Sequence, residues 1–230
     1  MNIDKSEIEN FDNYAHEWWN KRGPYKFIHL LTPIRLRYIS DNLNLKGSKI
    51  LDLGCGGGLL CEAMTNSGAD VIGIDASLKT IEIAKKHAKE QNFKIEYINT
   101  DIESYDNKEK FDAVVCFELI EHVPDPNELI KQIRRLIKPN GRLFLSTINR
   151  NLFSFMFAKL VAEYLLNIIP RGTHTYEKFI KPSELASWAR GSGLIVEKSI
   201  GMTYNPISRV YKLAKKDLSV NYLMKLTKPK

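Results

Sequence analysis

The strongest constraint on the fold is a change of rhythm at residue 49. Lys49-Ile50-Leu51-Asp52-Leu53 is a short apolar run that ends in Gly54-Cys55-Gly56-Gly57-Gly58 and passes straight into the helical pattern of 59–66. A buried strand that turns through glycines into a helix is the opening unit of an open α/β sheet. Val71-Ile72-Gly73-Ile74-Asp75 gives a second strand, 78–91 a second helix, 95–99 a third strand and 111–116 a fourth. The fourth is nearly all apolar, as expected of a central strand covered on both faces. A helix over 126–138, closed by Pro139-Asn140-Gly141, precedes a fifth strand over 141–147.

Strands alternating with helices of this length imply right-handed βαβ units. With a sixth strand over 193–199 and a final antiparallel edge within 207–226, the expected fold is α/β: a doubly wound, mostly parallel, seven-stranded Rossmann-like sheet. Two segments depart from that rhythm. Residues 1–45 read as a helical N-terminal cap. Ile8, Phe11, Tyr14, Ala15 and Trp18 recur at helical spacing, Gly23-Pro24 breaks the pattern, and a second helix begins near Lys26. Pro33 either kinks that helix or marks its start. Residues 150–182 read as an insertion, whose stretch 151–169 is amphipathic and rich in phenylalanine. Lys181-Pro182-Ser183 opens a further helix, with Ser183 as its expected N-cap. No repeat or linker divides the chain, so one domain over 1–230 is expected.

Composition narrows the partners. The formal net charge is +7, but the basic residues are scattered and no dense basic run carries interleaved aromatics, so nucleic acid is not an expected partner. Three cysteines, Cys55, Cys61 and Cys116, have no metal-ligand spacing and read as reduced thiols. The polar N-terminus lacks the pattern of a signal peptide, and no apolar stretch is long enough to span a bilayer. The expected location is cytoplasmic, with peripheral attachment to the inner face of the membrane left open.

The glycine loop has a definite chemical use. Gly54 and Gly56 lack Cβ atoms, so the backbone can approach a ligand closely, and the helix that follows offers free N–H groups to an anionic group. Asp75 stands at the end of the next strand, where a carboxylate can accept hydrogen bonds from ribose hydroxyls. A nicotinamide-binding fingerprint would need glycine at position 59, which is Leu59. The glycines run GxGxG instead, with an acid, Asp52, just ahead of them.

This loop and acid resemble those of the class I methyltransferases. The resemblance implies S-adenosyl-L-methionine as cofactor, with Gly54 at its methionine portion and Asp75 at its ribose, and it brings Asp52 and Gly56 into the same site. Phe117-Glu-Leu-Ile-Glu-His-Val-Pro-Asp125, Ser146-Thr-Ile-Asn-Arg150, Pro170-Arg-Gly-Thr-His174, Phe179-Ile-Lys-Pro182, Tyr204-Asn-Pro206, Trp18-Trp19 and Thr32-Pro-Ile-Arg-Leu36 occur in this order. That order resembles the bacterial ubiquinone-biosynthesis O-methyltransferases over nearly the whole chain. The resemblance implies O-methylation of polyprenylated phenol and catechol intermediates, at both methylation steps of the pathway. It adds Arg35 and Leu119 to the cofactor residues. Arg35 could grip the methionine carboxylate, Leu119 could pack on the adenine or methionine portion, and Asp101 could hold the adenine amino group. His174 stands as a second-rank cavity residue. Two other readings remain open: a methyltransferase for another small acceptor, and a non-catalytic S-adenosylmethionine-binding member of a biosynthetic complex.

Glu118, Glu121 and His122 stand at i, i+3 and i+4, which on a helix places them on one face. They could serve as a general base for the phenolic proton, or bind a divalent ion that lowers the phenol's pKa. The resemblance favours magnesium for the ion, with zinc or manganese as alternatives. The amphipathic segment 151–169 could meet an anionic membrane surface, which would bring the enzyme to a prenylated substrate, or could cover the active site.

Overall fold

The computed structural model describes residues 8–9, 12–105, 108–156, 176–205 and 210–230. Its centre is one eight-stranded sheet: β1 (Lys49–Leu53), β2 (Asp70–Asp75), β3 (Glu96–Asn99), β4 (Phe111–Phe117), β5 (Ile137–Ile148), β6 (Ile195–Asn205), β7 (Val210–Ala214) and β8 (Asn221–Thr227). The order is β3-β2-β1-β4-β5-β8-β6-β7. The first five strands run parallel, while β8 is antiparallel to both β5 and β6, and β7 is antiparallel to β6.

Packing follows from the two-residue period of a strand. In β1, Leu51 and Leu53 belong to one apolar cluster and Ile50 to the other, and in β4 Val114 and Val115 divide the same way. Both faces are therefore covered. Helices α1 (Lys26–Ser40), α2 (Leu59–Asn66) and α3 (Leu78–Glu90) supply buried side chains to one cluster. Helices α4 (Pro126–Leu136) and α6 (Pro182–Gly191) supply the other. The short α5 (Leu152–Met156) follows β5. The strand order reverses between β1 and β4, so their carboxyl ends open a crevice, where open α/β sheets bind ligands.

Several expectations need correction. The sheet has eight strands rather than seven, because the tail forms two strands, β7 and β8. The last strand is not an edge: β8 lies between β5 and β6, and the edge is β7. The reason is visible in Tyr222-Leu223-Met224, buried in succession and therefore covered on both faces. The helix expected to end at 138 stops at Leu136, and β5 begins at Ile137. Asn140, at φ 60°, and Gly141 pair there with Lys228 of the chain's end. Pro33 lies inside α1 and does not start it. Lys181, not Ser183, is the N-cap of α6, because Pro182 takes the first helical position and Glu184 reaches back to the Lys181 backbone. Of the helix expected over 8–18, residues 8–9 and 12–13 are helical, and a 3₁₀ turn follows at Ala15–Glu17. Of the segment 151–169, only the part to residue 156 lies among the described residues. His174 lies outside them.

Helix α1 is held on the sheet by Tyr38, buried edge-to-face against Phe144 of β5 with ring centroids 5.9 Å apart. Phe144→Ala leaves a cavity beneath α1, and denaturant titration should show a loss of about 3–5 kcal/mol. A loss below about 1 kcal/mol would mean that the helix is held elsewhere.

Candidate active site

The loop between β1 and α2 owes its shape to positive φ angles at Gly54 (75°) and Gly56 (52°). A Cβ on Gly54 would lie 3.1 Å from Leu119, and one on Gly56 only 2.1 Å from Trp18, so neither position has room for a side chain. The loop is fastened to the next strand at two levels. Gly54 N and Cys55 N donate to Ile74 O, and Gly56 N donates to Asp75 Oδ2 at 2.9 Å. Asp75 Oδ1 accepts from Ser77 N at 2.8 Å. Burial raises the Asp75 carboxyl pKa, and these two N–H groups oppose that rise. Asp52 is buried below the loop, where it accepts from Cys61 Sγ at 3.1 Å, and burial pushes its pKa up to about 6.

β4 ends at Phe117, and the next residue, Glu118, takes a left-handed φ of 51°. That conformation is uncommon for a residue with a Cβ and collects at functional sites, at a cost of about 1–3 kcal/mol. Glu118 Oε1 accepts from Arg35 Nη2 at 2.9 Å and from Ser146 Oγ at 2.7 Å. Arg35, on α1, is only 6% exposed, lies over the Phe117 ring at 5.3 Å, and keeps its buried Nε without a partner. A guanidinium on the cavity wall suits a ligand carboxylate.

Glu118, Glu121 and His122 do not share a helical face as expected. Glu118 is outside any helix, and Ile120–His122 form a single 3₁₀ turn. Glu118 Oε1 is held by Arg35 and Ser146. Among the described residues no three His, Cys, Asp or Glu side chains come together as one metal ion would require. Glu121 is 4% exposed, and its Oε2 has no hydrogen-bond partner. Burial first, and then the Glu118 charge, pushes its pKa up to about 8.

These elements surround a cavity of about 400 Å³. Every described residue expected in the site lines it: Arg35, Asp52, Gly54, Gly56, Asp75, Asp101, Glu118, Leu119, Glu121 and His122. Asp101 arrives with its carboxylate already engaged, accepting from Ser104 N at 2.8 Å and Ser104 Oγ at 3.1 Å. Sequence reasoning missed Trp18, which forms the wall over Gly56 and Gly57, and the pair Tyr204 and Tyr211, whose rings lie 4.8 Å apart on the opposite side of the sheet order. The sequence places Trp18 at an apolar helical position and, with Trp19, among the segments that carry the family resemblance. Its pairing with Trp19 beside the Gly23-Pro24 break was the available signal.

A parallel sheet with an antiparallel strand beside β5, a glycine loop after β1 and an acid closing β2 define a class I, S-adenosylmethionine-dependent methyltransferase. A family described as methyltransferase domain matches residues 32–199. The chain is 47% identical to the ubiquinone biosynthesis O-methyltransferase of Saccharophagus degradans, over 97% of this chain and 96% of that one. It is 46% identical to the protein of the same name from Pseudomonas syringae, over 97% of each. Among solved structures it is similar to magnesium protoporphyrin IX methyltransferase from Synechocystis with bound S-adenosylhomocysteine, at TM-score 0.67 and 17% identity over 96% of this chain and 94% of that one. A possible histamine N-methyltransferase from Thermotoga maritima gives TM-score 0.70 at 17% identity, over 96% and 99%. These two support the fold alone. The chain belongs to the ubiquinone biosynthesis O-methyltransferase family.

The Glu121 shift has a consequence for stability. Between the ordinary glutamate value of 4.5 and about 8, the folded protein keeps a proton that the unfolded chain releases, so stability falls as pH rises through this window and levels off above it. Glu121→Gln removes that loss. Thermal melts should show the variant gaining on the parent as pH rises, by about 2–4 kcal/mol at pH 8, with little difference near pH 4.5. A difference that does not change with pH would contradict the assignment.

Proposed function

We propose that the enzyme methylates hydroxyl groups of polyprenylated phenol and catechol intermediates in ubiquinone biosynthesis, at both O-methylation steps. The observation that carries this reading is 47% identity over nearly the full length of a relative named for that activity. The cavity is consistent with it, since Phe117, Leu119, Val123, Ile148, Tyr204 and Tyr211 give it apolar and aromatic walls suited to a substituted ring.

Bound S-adenosylmethionine supplies an electrophilic methyl group on a sulfonium, transferred by in-line displacement. The protein's part is placement. In this reading Gly54 and Gly56 let the loop backbone approach the methionine portion, and the Arg35 guanidinium takes its carboxylate. The remaining lone pairs of Asp75 take the ribose hydroxyls. Leu119 packs on the cofactor, and Asp101 faces the adenine. His122 takes the phenolic proton, because imidazole is the side chain whose charge ordinarily changes near neutral pH. Glu121, with its pKa raised, stays protonated at neutral pH and orients the acceptor by hydrogen bonding.

Short-chain demethylated ubiquinol, incubated with labelled S-adenosylmethionine in chelator and in added magnesium, tests the acceptor. Methyl transfer to oxygen is the expected result, and its absence in both arms would overturn the acceptor assignment. Turnover only with magnesium would mean that Glu118 leaves Arg35 to receive the ion.

We also propose that the face carrying α5 meets an anionic membrane on its cytoplasmic side. Among the described residues no helix is long and apolar enough to cross a membrane. Leu152 and Phe153, however, are 70% and 60% exposed. Such side chains can enter the headgroup boundary beside an anionic leaflet. Leu152→Asp combined with Phe153→Asp should cut co-sedimentation with anionic liposomes by about tenfold, from loss of buried apolar area. Unchanged binding would overturn the membrane reading.

A further inference from the structure

Behind the cavity wall, Trp19 joins three parts of the fold that are distant in sequence. Its indole Nε1 donates to the carbonyl of Gly57 at 3.0 Å, inside the glycine loop. Its ring lies flat on His87 of α3, with centroids 3.3 Å apart and planes 7° from parallel. His87 Nδ1 in turn meets Glu62 Oε1 of α2 at 2.8 Å, and Glu62 is only 6% exposed. The Glu62 backbone N–H donates to Gly58 O, so this chain of contacts begins and ends on the loop.

The neighbouring residue faces the cavity. Trp18 lies against Gly56 and Gly57 and lines the site, while its carbonyl accepts from His29 Nε2 at 2.9 Å. The N-terminal segment is fastened at a second point, where Asp12 accepts from Ser77 Oγ, the N-cap of α3. Trp18 therefore forms a cavity wall from the segment that precedes α1. The side chain that ties this wall to the loop is Trp19.

We propose that Trp19 and His87 are positioning residues for the cofactor: the Trp19–His87 stack, oriented by Glu62, fixes the Gly57 carbonyl and the Trp18 wall, and so sets the affinity for S-adenosylmethionine and S-adenosylhomocysteine without taking part in methyl transfer. The physical basis is preorganisation. A loop and wall already held in place need not be ordered when the ligand arrives, so ordering cost is removed from the binding equilibrium. Neither ring contacts the acceptor side, so the effect falls on cofactor binding.

Two variants of the full chain test this. Trp19→Phe keeps a ring on His87 and removes only the N–H donor, while His87→Ala removes the stack and the Glu62 contact. Each should weaken S-adenosylhomocysteine binding by calorimetry about tenfold, the scale of one lost hydrogen bond or ring contact. Each should raise KM for S-adenosylmethionine by a similar factor while kcat at saturation stays within about twofold. The double variant should be less than the product of the two, because both act on one contact. Unchanged binding in Trp19→Phe with native near-ultraviolet dichroism would overturn the proposal. So would a fall in kcat with KM unchanged, the pattern of an interaction made only in the transition state. The calorimetric arm needs no acceptor, so its outcome is independent of the acceptor assignment.

Discussion

The Asp75 carboxylate holds the site together before any ligand arrives. One oxygen accepts from Gly56 N and the other from Ser77 N, so a single side chain at the end of β2 fixes both the glycine loop and the start of α3. Hydrogen bonds to a charged acceptor are stronger than neutral ones, and here they act in a buried setting where the opposing cost is desolvation. Each oxygen retains acceptor capacity for a ligand hydroxyl. The same residue can therefore shape the empty loop and read the ribose.

A second node closes the other side. Glu118 reaches Arg35 and Ser146 because the chain leaves β4 with a left-handed residue, which turns Leu119 toward Gly54 at the same time. The strain of that backbone is offset by a part-buried ion pair between Arg35 and Glu118. This arrangement brings α1, β4 and β5 to one point. It also explains why the anticipated row of Glu118, Glu121 and His122 does not form: the glutamate expected to head that row is turned toward α1. Its two neighbours then sit in different settings, Glu121 buried and shifted, His122 on the cavity wall.

Strands β1, β2 and β4 were readable because their burial is nearly symmetric. Runs such as 50–53 and 113–116 are apolar at both parities, and the helices between them carry clean periods. The glycine loop and Asp75 were readable because only particular residue types meet those backbone demands. What escaped depends on contacts distant in sequence. The early start of β5 is stabilised by pairing of Asn140 and Gly141 with Lys228, and nothing near Pro139 announces it. The place of β8 between β5 and β6 is likewise set by pairing, although Tyr222-Leu223-Met224 carried the sign of a central strand. The left-handed Glu118 had no local signal, since asparagine and glycine are the usual occupants of that region. Trp18 belongs to the same class: its ring packs on a loop nearly forty residues later, and its helical spacing pointed instead to an ordinary core position.

The central claim is that the crevice between the carboxyl ends of β1 and β4 holds the methyl donor, walled by Trp18 and Leu119 and read by Arg35 and Asp75. A crystal structure with S-adenosylhomocysteine bound tests it most directly. The account predicts the amino-acid carboxylate within hydrogen-bonding distance of Arg35, the ribose on Asp75, and the sulfur facing Glu121 and His122. Ligand density elsewhere, or a ribose that makes no contact with Asp75, would contradict it.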